Sequence, residues 1–408
     1  MNGPCLGAEV APGLGHNKAS VSSVFASRII EREGGPEALE CRFSSKGYKA
    51  VEIMSRQFAH EGIFSRSSRL PLQKALNQQR ILVTGGAGFV GSHIVDLLAE
   101  AECREIVVVD NMTTGRPENL ISSIRSGNVR LVVGDIRNKL LMKELCNGID
   151  IVFHQAGLGE LHCALEPRLA LEVMVDAALT LLEQCVRSGV RKIVAASSAS
   201  IYGSPESCPT TENSGPHFDR TLQGSMKYFC EGLLRSFHTM YGTNYVALRY
   251  FEVYGPRMGN HESHAKLMLN WSERIMAGLP PIIVGNGTET IDMLHMRDVA
   301  RANILSALAP TTDVALNVGS GTETSLLTLA RSLTSIMHRP DLEPTFWEGI
   351  TNNRTIKRIA DIDLARQTIG FESQIRLNDG LKGFVRWWHD QPNCGHGHAR
   401  LDQLPSKP

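Results

Sequence analysis

The sequence has no net charge, no paired cysteines and no long hydrophobic run, and each of these absences excludes a class of function. The 408 residues include 42 basic and 42 acidic side chains. These charges are spread along the chain, so no basic surface for nucleic acid or an anionic membrane is expected. No apolar stretch approaches the roughly 20 residues of a membrane-spanning helix, and the first residues lack the pattern of a secretory signal.

The nine cysteines stand singly, without the short spacings of a zinc site or of a disulfide framework. The sequence therefore predicts a reducing compartment, a cytoplasmic location and no metal site. A hydrophobic fraction of 42% with 21% charged residues is typical of a globular protein. These observations favour a small molecule as the ligand.

Short β-branched runs alternate with amphipathic segments from Arg80 onward. Runs such as 106–109 and 151–153 are continuously apolar, which is typical of strands buried on both faces. Repeated strand–helix–strand units form a parallel sheet covered by helices. The sequence therefore predicts an α/β fold with a doubly wound, Rossmann-type parallel sheet and a smaller, mostly helical substrate-binding lobe.

Three glycines mark the turn after the first predicted strand. Gly85, Gly88 and Gly91 precede a helix predicted from Ser92. Because glycine has no side chain, backbone N–H groups there can approach a pyrophosphate at the helix N-terminus. Asp110 ends the second strand, where a carboxylate accepts hydrogen bonds from ribose hydroxyls and repels a 2′-phosphate. The pattern predicts a dinucleotide site that prefers NAD to NADP.

We divide the chain into four regions on this pattern. Residues 1–78 lack clear periodicity and are predicted to be an appendage, with disorder as one interpretation. Residues 79–255 are predicted to be the NAD-binding Rossmann domain. Residues 256–390 are predicted to form mainly the substrate-binding lobe, interleaved with that domain, and residues 391–408 a tail.

Four motifs carry a resemblance to one enzyme family. They lie at 84–93, 110–115, 197–203 and 248–256. By these motifs the chain from Arg80 to about Trp388 resembles an extended short-chain dehydrogenase/reductase of the NAD-dependent epimerase/dehydratase family. The residues that the resemblance implies for NAD binding are Gly85, Gly88, Phe89, Val90, Gly91, Asp110, Asn111, Asp135, Ile136, Ala156, Gly157, Lys227 and Phe251.

The resemblance also implies a catalytic serine, tyrosine and lysine, with the tyrosine four residues before the lysine. Ser198 and Lys227 stand at the serine and lysine positions, but Gln223 stands at the tyrosine position. A carboxamide does not exchange a proton near pH 7, so the usual acid/base is absent. Tyr228 is a poor replacement because one helical step turns a side chain by about 100°.

Other positions also lack the residues that the resemblance implies. Met174 stands where the resemblance implies an asparagine of the proton relay, and Glu252 where it implies an amide that contacts a sugar-nucleotide diphosphate. Ile291 and, by a less secure alignment, Thr351 stand where it implies arginines. A carboxylate repels a diphosphate, so the sequence predicts that the usual diphosphate contacts are lost.

Two interpretations of these losses stay open. In the first, the protein is an atypical NAD-dependent enzyme acting on a sugar, sugar nucleotide or sugar-derived metabolite, with His162 or Cys163 and Glu252 supplying replacement groups. In the second, it is a catalytically retired NAD-binding scaffold or redox-sensing protein. We favour the enzyme, because Ser198, Lys227 and the cofactor loop persist.

The resemblance further implies a homodimer formed by helices over 169–186 and 223–239. The apolar residues that could form its interface are Leu171, Ala178, Leu182, Phe229, Leu233 and Phe237. Core packing within one chain is the alternative explanation for half of them.

Overall fold

The computed structural model describes residues 73–205, 207–215, 221–259, 263–347 and 357–391. Most of the predicted appendage, most of the predicted tail and Thr351 lie outside the described residues. Within them, no helix is long and apolar enough to cross a membrane.

A seven-stranded parallel sheet forms the centre of the fold. Its strands are β1 (Arg80–Thr84), β2 (Glu105–Asp110), β3 (Val129–Val133), β4 (Ile151–His154), β5 (Lys192–Ser198), β6 (Tyr245–Tyr250) and β10 (Val314–Val318). Their order in the sheet is β10-β6-β5-β4-β1-β2-β3. Because strand order reverses between β1 and β4, a crevice opens there at the carboxyl ends of the strands.

The helices alternate with these strands along the chain. They are α1 (Phe89–Glu100), α2 (Ile121–Ile124), α3 (Lys139–Leu145), α4 (Glu160–Leu165), α5 (Pro167–Leu171), α6 (Ala177–Ser188), α7 (Leu222–Tyr241), α8 (Ser263–Met276), α9 (Met296–Leu308), α10 (Leu326–Ile336), α11 (Asp363–Ile369) and α12 (Leu377–His389). A π-helical turn, Glu172–Asp176, joins α5 to α6, and 3₁₀ turns lie at Pro117–Leu120 and Ala199–Tyr202.

Both faces of the central sheet are covered by helices. Alternate strand residues point to opposite faces, so Val108 packs in one core with residues of α1, α9 and α11. Val107 packs in the other core with residues of α3, α6 and α7. The predicted doubly wound α/β fold is confirmed. The first helix begins at Phe89 rather than at Ser92.

The smaller lobe combines α8, α10 and α12 with short strands. These strands are β7 (Glu252–Tyr254), β8 (Ile282–Val284), β9 (Thr290–His295), β11 (Glu323–Ser325), β12 (Thr345–Trp347) and β13 (Lys357–Arg358). One small sheet is ordered β11-β9-β13, with β7 also paired to β9, and β12 pairs with β8. Most of these strands have only two or three residues, too few for periodicity to predict them.

The chain passes repeatedly between the central sheet and the lobe. One residue separates β6 from β7, and no residue separates β9 from α9. Helix α9 packs on the central sheet, and β10 pairs with β6 at its edge. The interleaving predicted for the second half of the chain is therefore present.

Half of the predicted dimer residues belong to the core of the chain itself. Ala178, Leu182 and Phe237 are buried, because they face the central sheet from α6 and α7. Leu171 and Phe229 are 43% and 54% exposed. Only the exposed part of this predicted surface is accessible to a second copy.

Candidate active site

A cavity of about 840 Å³ lies at the carboxyl ends of the central strands. The residues predicted for NAD binding line it, and so do the candidate catalytic residues other than Cys163. Those predicted for the cofactor are Gly85, Gly88, Phe89, Val90, Gly91, Asp110, Asn111, Asp135, Ile136, Ala156, Gly157, Lys227 and Phe251, and those predicted for catalysis are His162, Ser198, Gln223, Lys227 and Glu252. The topology thus brings together residues that are far apart in the sequence, from Gly85 to Glu252.

The glycine loop packs tightly against neighbouring backbone. A Cβ atom at Gly91 would lie 2.2 Å from the carbonyl oxygen of Gly85. Gly85 itself has a φ of +67°, and a Cβ there would lie 2.7 Å from the amide nitrogen of Ala156. Gly88 is the N-cap of α1 and provides no side-chain hydrogen bond. The first N–H groups of α1 therefore face the cavity without a side-chain cap, as a bound pyrophosphate requires.

Asp110 is held by backbone amides at the end of β2. Its Oδ2 accepts a hydrogen bond from Ala87 N at 3.0 Å, and its Oδ1 accepts one from Met112 N at 2.9 Å. Burial raises the pKa of this carboxyl group, against smaller opposing effects of the amides. The backbone amide of Gly88 is a third hydrogen-bond partner. A carboxylate has about four acceptor positions, so Asp110 keeps capacity for a ribose hydroxyl of NAD.

The next pair along the cavity is Asn111 and Asp135. Asn111 Nδ2 donates to Asp135 Oδ2 at 3.1 Å, and Arg137 Nη2 lies 2.9 Å from the same oxygen. Burial alone would raise the pKa of Asp135, but the hydrogen bonds from Arg137 and Asn111 outweigh it and lower the pKa. The carboxylate is thus fixed beside Ile136, as an adenine edge and face require.

Helix α7 carries Gln223 and Lys227 on one face. The N-cap Thr221 accepts a hydrogen bond from Gly224 N through Oγ1 at 3.0 Å, which fixes the start of the helix. Residues four positions apart are neighbours on a helix surface. Gln223 Nε2 donates to the carbonyl oxygen of Leu158 at 3.1 Å.

Lys227 and Ser198 lie near the carboxyl end of β5. Lys227 Nζ donates to the carbonyl oxygen of Ala196 at 2.6 Å. Ser198 Oγ accepts a hydrogen bond from Ser200 N at 3.1 Å, which leaves the hydroxyl proton of Ser198 to donate elsewhere. The structure therefore places the hydroxyl, the ammonium and the carboxamide of Gln223 around one cavity.

The two candidates in the loop after β4 differ in their surroundings. His162 is half-buried on α4 and lines the cavity. Cys163 is fully buried, and its Sγ lies 3.6 Å from the carbonyl oxygen of Leu158 and 3.5 Å from Met174 Sδ. Burial raises the pKa of the Cys163 thiol. Cys163 is therefore a packing residue, which excludes it as a replacement group.

Tyr202 and Tyr250 lie near the site but are poor replacements for the missing tyrosine. Burial raises the pKa of Tyr202 to about 12 and also raises the pKa of Tyr250. Both hydroxyl groups have partners, since Tyr202 donates to Asn317 Oδ1 at 2.7 Å and Tyr250 lies 3.1 Å from Gln155 Oε1.

A buried ion pair supports the strands behind the candidate catalytic residues. Arg249 Nη2 lies 2.7 Å from Glu231 Oε2 and Arg249 Nε lies 3.0 Å from Oε1. Ser197 Oγ donates to the same Oε1 at 2.5 Å. This network ties α7 to β5 and β6, so it sets the distance between the residues of α7 and Ser198.

Four arginines that the sequence did not predict for the site also line the cavity, and two of them, Arg257 and Arg358, lie in its substrate half. Arg257 lies in the loop after β7, and its Nη1 is 2.8 Å from Asp96 Oδ2 on α1. Arg358 on β13 is in register with Ile291 on β9, so it stands beside the position where an arginine was expected.

The fold and the site together define a dinucleotide-binding enzyme of the Rossmann type. A family model described as "NAD dependent epimerase/dehydratase family" matches residues 81–319. The chain belongs to this family. The predictions of an extended short-chain dehydrogenase/reductase, of an enzyme and of NAD as its cofactor are confirmed.

Individual relatives agree with this assignment. UDP-glucose 4-epimerase of Mycolicibacterium smegmatis is 30% identical over 76% of this chain and 99% of its own length. The structure of UDP-glucose 4-epimerase of Thermotoga maritima with UDP-glucose has a TM-score of 0.69 and 32% identity, over 76% of this chain and 98% of that one. The dTDP-glucose 4,6-dehydratase DesIV of Streptomyces venezuelae, solved with NAD bound, has a TM-score of 0.69 and 26% identity, over 76% and 97%.

Proposed function

We propose that the protein is an atypical NAD-dependent epimerase, dehydratase or oxidoreductase acting on a sugar, a sugar nucleotide or a sugar-derived metabolite. The observation that supports this most directly is the shared cavity of the cofactor loop, Ser198 and Lys227, with Gln223 at the tyrosine position. NAD, when bound, supplies a hydride acceptor at the substrate carbon. The homodimer and the cytoplasmic location stay predictions.

Ser198 orients the reacting oxygen of the substrate. Its hydroxyl oxygen is already occupied by Ser200 N at 3.1 Å, so the hydroxyl proton is directed to an acceptor in the cavity. Lys227 holds a positive charge at the same end of β5 through its bond to Ala196. That charge stabilises any anionic oxygen that forms nearby.

Gln223 is a positioning residue. Its amide donates to Leu158, just before α4, the helix that carries His162. The carboxamide therefore ties α7 to α4 but transfers no proton. His162 lines the cavity, and histidine is the side chain most often used as a general acid/base, so we assign the acid/base role to His162.

The retired scaffold is the alternative that an experiment must exclude. Purified protein is denatured to measure bound NAD, and absorbance at 340 nm is followed in native protein on addition of UDP-sugars or unactivated polyols. A productive substrate changes the absorbance of the wild type, and His162→Asn abolishes that change. Bound NAD with no absorbance change in any variant would establish the scaffold.

Gln223→Tyr tests the site by restoring the missing tyrosine. The added phenol restores the acid/base that the family pattern has beside Lys227, so this variant is expected to gain or redirect redox activity. Gln223→Phe is the matched control, because it adds the ring without the hydroxyl. Equal absorbance changes in the two variants would show that the phenol plays no part.

A further inference from the structure

The short helix α4, which carries His162, leaves its outer face uncovered. Of its six residues only Cys163 is buried. Leu161 and Leu165 are 51% and 70% exposed, and because they lie four positions apart they share the face opposite Cys163. We infer that a second copy of this chain covers this face and holds His162 in the cavity, so that the site is complete only in a dimer. The inference rests on the proposed function, which gives His162 its acid/base role.

Helix α4 is held weakly by its own chain. It has no side-chain N-cap, and a helix of six residues depends on packing for its stability. Cys163 packs in a small cluster with Met174 and Met226, which fixes the inner side of α4, and the bond from Gln223 to Leu158 fixes the loop before it. A helix with one buried side chain opens easily. A surface that covers the two outer leucines therefore stabilises α4 in its place beside the cavity.

The uncovered face of α4 continues onto the neighbouring helices. Helix α4 packs against α5 and α7, and α7 packs against α6. From α4 to the first half of α7, seven large apolar side chains are exposed, and they are Leu161, Leu165, Leu171, Leu179, Leu222, Tyr228 and Phe229. Together they expose roughly 600 Å², which is most of the about 800 Å² that each partner buries in a stable interface.

The outer face of α7 has room for the backbone of a second helix. At Gly232, in the middle of this helix, a Cβ would meet nothing within 4 Å, so packing within the chain does not require a glycine there. Glycine inside a helix is unfavourable. The close approach of a second backbone explains why it is present.

A second copy is the occupant that this surface fits. In a two-fold dimer the same surface lies on both copies, so a charged side chain there would face like charges. The positions within about 100° of one another on the outer face of α7 are Leu222, Ser225, Phe229, Gly232, Leu233, Ser236 and Met240. None of these seven residues is charged. Because α4 packs against α7, a copy seated on this face also reaches the outer leucines of α4.

Hydrogen exchange and sedimentation velocity on the full chain test this inference. The amides of α4 are expected to exchange at least about tenfold more slowly when the wild type is dimeric than when it is diluted to a monomer. The rate per protomer of the substrate-dependent absorbance change should rise over the same range of concentration.

Two variants remove the contact from different sides. Gly232→Leu fits the single chain but fills the space for the second backbone, so it should be monomeric, exchange rapidly at α4 and lose the absorbance change, with the NAD content of the wild type. Leu161→Lys should give the same result from the side of α4. Leu364→Lys, at a 38% exposed leucine on α11, is the matched control on the other face of the sheet and should behave as the wild type does.

The outcomes separate this inference from the proposed function. A wild type that is monomeric at every concentration, or Gly232→Leu that stays dimeric, overturns the inference. So does a monomeric variant whose exchange at α4 and absorbance change match the wild type, and so does slow exchange at α4 that does not depend on concentration, which indicates cover by the chain itself. Concentration-dependent exchange at α4 in a wild type that responds to no substrate overturns the proposed function, while the covering of α4 by the second copy stands.

Discussion

Gly91→Ala tests the cofactor loop at its tightest contact. The new Cβ would lie 2.2 Å from the carbonyl oxygen of Gly85 and 2.8 Å from Gly86 Cα. Both are backbone atoms, so no side chain can rotate away. The loop cannot retreat either, because Gly85 already lies against the backbone of Ala156.

The cost of this overpacking is about 1–3 kcal/mol. Applied to the conformation that binds NAD, it raises the dissociation constant of NAD roughly 5- to 150-fold. Titration calorimetry with NAD measures this change, and thermal unfolding shows how much of the cost falls on the fold.

Gly383→Ala is the matched control. This glycine lies within α12, and a Cβ there would meet nothing within 4 Å. The substitution should stabilise the helix by about 0.5–1 kcal/mol and leave NAD affinity unchanged. If Gly91→Ala bound NAD within twofold of the wild type with an unchanged melting temperature, our description of the cofactor loop as tightly packed at Gly91 would be wrong.

Three further substitutions test the stability of the fold and the predicted dimer. Burial lowers the pKa of His295 to about 4. Between about pH 6.5 and 4, therefore, the unfolded chain binds a proton at this histidine and the folded chain does not. The free energy of unfolding is expected to fall by about 2 kcal/mol from pH 7 to 5 for this reason. His295→Asn should remove that part of the fall in denaturant titrations. Glu231→Gln leaves Arg249 buried without its charge partner and should cost about 3–5 kcal/mol of unfolding free energy. Phe229→Lys should convert a dimer to a monomer in sedimentation velocity.

Each of these substitutions has a control or a contrary result. His295→Asn keeps the acceptor for the start of α9, and an unchanged pH dependence would show that another group titrates. Asp341→Asn, in an exposed pair, should leave the melting temperature unchanged where Glu231→Gln lowers it. Leu140→Lys, 72% exposed on α3, should leave the association state unchanged, and a monomeric wild type would rule out the predicted dimer.

The central sheet and the cofactor loop could be predicted from the sequence because their signals are local. The strands are continuous β-branched runs, and Gly85, Gly88 and Gly91 follow β1 at a fixed spacing. The start of α1 at Phe89 was missed because Gly88 provides no capping side chain. Local pattern is therefore a good guide to this half of the site.

The substrate half depends on contacts between distant parts of the chain. Arg358 lies beside Ile291 only because two short strands pair in one register, and no local pattern encodes that pairing. Cys163 and His162 are adjacent in sequence, yet one is core and the other lines the cavity. That difference depends on how α4 is rotated against Met174, which tertiary packing decides.

The repeated passage of the chain between the central sheet and the lobe limits how the cavity can open. A hinge needs a few residues that absorb large dihedral changes. Here β6 meets β7 through Phe251 alone, whose N–H is bonded to the carbonyl oxygen of Val318 at 3.0 Å, and β9 runs directly into α9. The lobe is thus connected to the central sheet at several points along the chain. A swing of the whole lobe would have to break these contacts, so we expect the lobe and the central sheet to keep their relative positions when a ligand binds.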